Sequence, residues 1–345
     1  MEKKNVNLDI IRSVAVFCVL SVHFFMGYGF YEETIVGTKM YFATVVRTSF
    51  AICVPLFMLL TGFLMNKKTI CKKYYFGLLK VLIPYVLSIS CIGIYRVMKG
   101  DTYSLPSLVL DIAEFGYYSW YVEMYIGLYL MIPFLNIIYN NIEMKKQKQL
   151  LLLIGILITI APTFFNAFDK LLYPDWWQGF FPVAYYFIGA YIAEYKEEIR
   201  ISLKKNFMLI VLSIAFTGGF CYFRSYNTVF NWGSWCTAGG FANLFNAPLI
   251  FVFLLRVSTD KLPKWIVSVI HLVAKVSLPL YLVSYIFDSL WYPVLNAHVA
   301  LEQRIFYYPL SIAVTFTSSL VLAFVVEKVS AGIYGFLSKK MGQCL

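Results

Sequence analysis

Charge is what this chain has least of. Only 14% of its 345 residues are Asp, Glu, Lys or Arg, where an ordinary soluble domain has about 25%. Some 60% are hydrophobic and 19% aromatic, and the mean hydropathy is +0.72. Those values exclude a soluble globular domain, a disordered chain, a coiled coil, a collagen and a disulfide scaffold. The seven cysteines (Cys18, Cys53, Cys71, Cys91, Cys221, Cys236, Cys344) form no C-x-x-C pair and no metal-ligand spacing. They read as small core residues, and no metal site is expected. The sequence also lacks a 20 to 50 residue repeat, a Gly-rich phosphate loop, an H-E-x-x-H helix and a G-x-S-x-G elbow.

What is present is a series of apolar runs, at 8–28, 41–65, 76–98, 117–139, 150–166, 180–195, 207–224, 240–256, 268–294 and 305–328. Each approaches the length that crosses a bilayer as a helix. The expected fold is an all-α, polytopic membrane bundle of about ten transmembrane helices, with residues 1–345 as a single domain and no separate soluble one. The first run follows a short basic leader and has no small-residue cleavage site, so it reads as the first helix of the mature protein.

The net charge of +11 is not a nucleic-acid face, because the basic residues gather in alternate connections between apolar runs. Those connections hold Lys3 and Lys4; Lys67, Lys68, Lys72 and Lys73; Lys145, Lys146 and Lys148; Lys196, Arg200, Lys204 and Lys205; Arg256, Lys261 and Lys264; and Lys339 and Lys340. Excess Lys and Arg marks the cytoplasmic side, so both termini are predicted in the cytoplasm of a multi-pass plasma-membrane protein. The intervening connections carry aromatic and turn-forming residues, as in Tyr173 to Trp177 and Asn231 to Trp235. That composition suits the membrane–water boundary, with sugar stacking as the alternative reading. No pair of Gly/Pro-interrupted spans in matching halves indicates an inverted-repeat carrier.

Ionisable groups inside a span cost about 2.5–3.5 kcal/mol on the insertion scale and ask for a partner or a polar cavity. The first run has three: Asp9, Arg12 and His23. Arg12 and His23 are eleven residues apart, which returns them to nearly the same helical face with a rise of about 16 Å. Asp9, one turn before Arg12, is expected to pair with it. Two readings stand at this point. In one, the stripe is an active site that crosses the membrane. In the other, Arg12 snorkels to the cytoplasmic surface and His23 bonds a neighbouring carbonyl.

Several motifs resemble the acyltransferase-3 membrane proteins, bacterial enzymes that acylate, most often O-acetylate, surface and exported carbohydrates. The resemblance rests on Arg12 and His23 within the first helix, on Val54-Pro55-Leu56-Phe57-Met58-Leu59-Leu60-Thr61-Gly62-Phe63-Leu64, on Trp120-Tyr121 followed by Gly127-Leu128-Tyr129-Leu130-Met131-Ile132-Pro133, and on Tyr186-Phe187-Ile188-Gly189-Ala190-Tyr191. It spans most of the chain. Thr61 stands where Ser is usual, Lys72, Lys73 and Lys80 stand where many members have arginines, and Ser284 stands where many have a second His.

The resemblance implies an O-acetyltransferase with acetyl-CoA as donor substrate, no bound cofactor, and a capsule, exopolysaccharide or lipid-linked glycan as acceptor. Arg12 would meet the donor's phosphates, since its planar fork is always charged and bonds bidentately. Lys67, Lys68, Lys72 and Lys73 would add a basic mouth, or serve only as a positive-inside loop, and Lys72, Lys73 and Lys80 would join Arg12 in binding the donor. His23 would act as general base on the acceptor hydroxyl, with an acyl-His step as the variant. Glu123, one turn after Trp120, could orient His23 or bind sugar hydroxyls, or could pair with Arg47 or Arg96; Arg47 and Trp120 are expected with it as supporting or acceptor-binding residues. Tyr281, Ser284 and Asp288 share a helical face that lines an acceptor cavity or packs polar groups between helices. His271 and His298 lie near span ends and carry no assigned role. The rival function is a carrier or flippase for a lipid-linked sugar or acyl group, without covalent transfer. The oligomeric state is unknown from sequence.

Overall fold

The computed structural model describes residues 5–168 and 170–343; Lys3, Lys4 and Cys344 lie outside the described residues. The first five helices are α1 (Val6–Gly27), α2 (Gly37–Phe50), α3 (Cys53–Met65), α4 (Lys72–Phe76) and α5 (Leu79–Met98). They are followed by α6 (Leu105–Ala113), α7 (Trp120–Asn140), α8 (Lys145–Thr159), α9 (Ala161–Phe165) and α10 (Phe181–Tyr195). The last five are α11 (Leu203–Ser225), α12 (Phe241–Arg256), α13 (Lys264–Lys275), α14 (Ser277–His298) and α15 (Tyr308–Gln343). Among the described residues there is no strand, only two isolated bridges that tie residues 34 and 35 to 229 and 226. Among the described residues, eight helical segments are long and apolar enough to cross a membrane. The predicted runs 180–195 and 240–256 form the shorter helices α10 and α12.

Prolines decide where several apolar runs break. A proline within a helix lacks its N–H, and its ring clashes with the carbonyl four residues back. Pro55, Pro162 and Pro279 stand four residues after Ala51, Ile158 and Lys275, and the chain breaks at 51–52, 160 and 276. The run 268–294, expected as one span, is therefore two helices, α13 and α14. The first of these is amphipathic, with Lys264, Ser268, His271 and Lys275 set among Trp265, Ile266, Val269, Ile270 and Val273.

The chain divides into two compact units, one of Met1–Lys68 with Ile132–His271 and one of Thr69–Met131 with Leu272–Leu345. In the first unit α3 packs along α10, α1 lies against α3 and α12, and α11 against α2 and α12. The α3–α10 contact depends on two glycines. A Cβ at Gly62 would stand 2.0 Å from the Tyr186 carbonyl oxygen, and one at Gly189 would stand 2.1 Å from that of Leu59. Small residues let membrane helices approach backbone to backbone, where dispersion replaces the missing hydrophobic drive. The C-terminal carbonyls of α3 are satisfied by α7: Asn136 Nδ2 donates to Met65 O at 2.8 Å and Lys68 O at 2.7 Å, while Tyr186 Oη donates to Asn136 Oδ1 at 2.6 Å. Lys148 on α8 is bonded through Nζ to both carboxylate oxygens of Glu194 on α10, at 2.7 and 2.8 Å.

In the second unit α5, α14 and α15 pack together, with α6 against α5. Tyr74 and Tyr129 stack with centroids 4.6 Å apart, and each hydroxyl donates to the other's backbone carbonyl. Gly77 makes room for that pair, since a Cβ there would lie 2.6 Å from Tyr129 Oη.

Candidate active site

The position of α1 in the first unit is fixed at its N-terminal end by polar bonds. Asn5 caps the helix by accepting from Asn7 N–H at 3.1 Å. The Asn7 amide donates to the Leu254 and Val257 carbonyls at 2.8 and 2.7 Å, which satisfies orphan acceptors at the end of α12. Ser13 Oγ reaches the Asp9 carbonyl at 2.8 Å and the Ile270 carbonyl at 3.3 Å, and so ties α1 to α13.

Arg12 and Asp9 do not pair as their spacing predicts. Asp9 Oδ2 is instead 2.5 Å from His271 Nδ1. Arg12 is partly exposed and makes no hydrogen bond or ion pair among the described residues. His271, given no role from sequence, is therefore the missed member of this end of α1. Its only sequence signal was a lone imidazole among apolar residues on an amphipathic segment.

Eleven residues along the same helix, His23 is 7% exposed. The turn that follows it is walled by aromatics: Phe24 and Tyr28 are 4.7 Å apart between ring centroids, and Phe25 and Phe30 are 5.2 Å apart. All four of those rings are fully buried. The stripe thus places a partly exposed guanidinium and a buried imidazole on one continuous helix.

Arg47, also in the first unit, is 2% exposed. Its Nε donates to Tyr31 Oη and its Nη1 to the Cys236 carbonyl, both at 3.1 Å. The guanidinium lies 4.4 Å from the Trp232 centroid and 4.7 Å from that of Phe230. Cation–π contacts of this kind are strongest where water is excluded. Burial pushes the Tyr31 phenol up, against the opposing pull of Arg47, so it stays neutral. Arg47 is thereby an anchor for the 28–36 and 226–240 loops, and in this conformation an acceptor sugar has no access to it.

The remaining predicted residues belong to the second unit. Lys72 and Lys73 are exposed on α4, and Lys80 is exposed with its ammonium 5.1 Å from the Tyr334 centroid. Trp120 and Glu123 are exposed on α7. Glu123 does not pair with Arg96 as one reading had it. Arg96 is held by Asp101 at 2.9 Å and by Tyr117 Oη at 2.9 Å. Tyr281, Ser284 and Asp288 are all buried on one face of α14. Ser284 Oγ donates to the Tyr281 carbonyl of its own helix at 2.8 Å, and Tyr118 Oη donates to Asp288 Oδ2 at 3.2 Å.

Sequence reading did not find the tyrosine and carboxylate cluster that fixes the 99–119 connection. Tyr103 and Tyr117 hydroxyls both donate to Asp111 Oδ2, at 2.5 and 2.8 Å. Burial, and behind it the Asp111 carboxylate, pushes the Tyr103 phenol up, which keeps it a donor. Phe115 and Tyr117 hold left-handed backbone at φ 51° and 59°, a strain of order 1–3 kcal/mol that the packed surroundings must offset. Tyr118, next in the chain, faces Asp288 while Tyr117 faces Asp111, so adjacent residues join two carboxylates.

The family model Acyl_transf_3, described as an acyltransferase domain, matches residues 5–324. The chain belongs to that acyltransferase family. Neither a curated protein nor a solved structure matches it. As a member of Acyl_transf_3 with eight helices long and apolar enough to span, it is a multi-pass membrane acyltransferase. The match covers both units, and the motifs that pointed to the family have separable physical roles in this member. Gly62 and Gly189 make the α3–α10 crossing, while Gly127 has nothing within 4 Å of the place its Cβ would take. Thr61, in place of the usual Ser, spends its hydroxyl on the Phe57 carbonyl at 2.8 Å.

Proposed function

We propose that this acyltransferase moves an acetyl or other short acyl group from cytoplasmic acyl-CoA to a hydroxyl of a surface or exported carbohydrate. The observation that carries the reading is the α1 stripe, with Arg12 partly exposed and without a hydrogen bond or ion pair among the described residues, and His23 buried about three turns along the same face. With the Lys- and Arg-rich connections in the cytoplasm and both termini there, Arg12 stands toward the donor and His23 toward the acceptor. Their rise of about 16 Å is comparable to an extended pantetheine arm, so phosphates at Arg12 would put the thioester within reach of His23.

In the reaction, a neutral His23 takes the acceptor's hydroxyl proton as the oxygen attacks the thioester carbonyl. The tetrahedral adduct collapses with cleavage of the C–S bond. The acyl group leaves as an ester, and the CoA thiolate recovers a proton, so the imidazole is returned. Arg12 contributes charge-assisted bonds to the donor phosphates. Lys72, Lys73 and Lys80, all exposed, add positive charge on the same predicted side of the membrane. Asp288 and Tyr281 remain candidates for acceptor hydroxyls, as buried polar groups that a glycan could bond after local opening.

Arg12→Ala should weaken acetyl-CoA binding by tenfold or more, and Arg12→Lys by less, because a point charge keeps the attraction to phosphate but loses the planar fork. Equilibrium binding of radiolabelled acetyl-CoA to purified protein measures both. Unchanged affinity in Arg12→Ala would remove that residue from the donor site. Transfer of radiolabelled acetyl from CoA into a glycan ester tests the function as a whole, since a carrier or flippase gives no covalent product.

A further inference from the structure

Asp9 and Arg12 are three residues apart on α1, a spacing at which a carboxylate and a guanidinium ordinarily pair on a helix. Here the carboxylate is taken by another partner. His271 Nδ1 lies 2.5 Å from Asp9 Oδ2, with the two side chains 25% and 19% exposed. The arrangement is set by backbone register, because Ser13 Oγ bonds both the Asp9 carbonyl and the Ile270 carbonyl, one residue before His271. Asn7, bonded to the Leu254 and Val257 carbonyls, stops this end of α1 from turning about its axis. The imidazole is thus held against Asp9 from a neighbouring helix, and Arg12 is left without a hydrogen bond or ion pair among the described residues.

We infer that His271 is a positioning residue that sequesters Asp9, and so keeps the Arg12 guanidinium available to the phosphates of the acyl donor. The inference rests on the donor-phosphate reading of Arg12. A carboxylate free to swing onto Arg12 would occupy up to two of its five donors in a fork-to-fork pair and set a negative charge beside the incoming phosphates. A donor N–H from His271 fixes that carboxylate one turn away. The role requires only that Nδ1 carries a proton toward Asp9.

The test is equilibrium binding of radiolabelled acetyl-CoA to the purified full-length chain in detergent, which needs no knowledge of the acceptor. His271→Ala is expected to weaken binding about fivefold, the effect of letting one partly exposed ion pair compete with the ligand. His271→Asn, whose amide can donate from near the Nδ1 position, should bind like wild type. The double variant Asp9→Asn/His271→Ala should regain wild-type affinity, because the amide at position 9 carries no charge to compete for Arg12. Asp9→Asn alone should bind at least as tightly as wild type, which keeps the inference testable if His271→Ala fails to fold. Wild-type affinity in His271→Ala, a double variant as weak as the single one, or weaker binding in Asp9→Asn would each overturn the inference. In those cases a weakened Arg12→Ala leaves the donor reading standing. Unchanged binding in Arg12→Ala would overturn the donor reading and this inference together.

Discussion

His23→Ala is expected to insert and fold yet lose transfer activity by about 10² to 10⁴-fold, the range that a positioned general base contributes. An alcohol is a poor nucleophile at neutral pH, and only removal of its proton as it attacks makes the thioester carbonyl accessible to it. The imidazole is buried, so its truncation leaves a cavity that lowers the thermal midpoint, and the lost activity is measured on the fraction that remains folded. Acetyl-CoA binding should also persist, because the donor phosphates are assigned to Arg12, about three turns away. A variant that loses donor affinity in step with activity would place His23 in binding and leave the base unassigned.

Gly62→Ala and Gly189→Ala should each destabilise the protein by about 1–3 kcal/mol, the typical cost of forcing an extra methyl into a packed interior, with a larger loss for Val. The added Cβ would lie at 2.0 and 2.1 Å from backbone carbonyl oxygens, and backbone cannot swing aside as a flexible side-chain end can. The helices must separate, which removes dispersion contacts along the whole α3–α10 seam. Gly127→Ala is the control. Its Cβ meets nothing within 4 Å, and alanine favours the helix by about 1 kcal/mol over glycine. Thermal unfolding in detergent, followed by the monodisperse fraction, ranks the three. Wild-type midpoints for Gly62→Ala and Gly189→Ala would contradict the close crossing.

The all-α membrane character was legible because hydropathy and length are properties of the chain itself, and the runs that became helices could be read directly. Their interruptions were harder to read, although Pro55, Pro162 and Pro279 explain the breaks at 51–52, 160 and 276. Apolar content alone made 268–294 one span, whereas the helix breaks at 276, where the ring of Pro279 crowds the carbonyl of Lys275. The stripe of Arg12 and His23 was visible because helical spacing is local. The partner of Asp9 was not, since His271 lies 262 residues away in sequence and only tertiary packing brings it there. For the same reason Arg47 read as a group near a site, while its burial depends on loops around Tyr31, Phe230 and Trp232 that no local pattern joins to α2. Asp111 escaped notice because its tyrosine partners are ordered by left-handed backbone at Phe115 and Tyr117, a conformation that neither residue type announces.

The measurement that bears most directly on His23 as the base of a membrane O-acyltransferase is label transfer in sealed inside-out vesicles that carry their own glycan acceptor. Radiolabelled acetyl-CoA, added to the outward-turned cytoplasmic face, is supplied to wild type and to His23→Gln, whose amide can donate a hydrogen bond but cannot take a proton at neutral pH. Base-labile label in the glycan fraction of wild-type vesicles, and its absence with a folded His23→Gln protein, is the predicted result. Equal labelling by the two proteins would make the imidazole structural, and no covalent label from wild type would contradict acyl transfer itself.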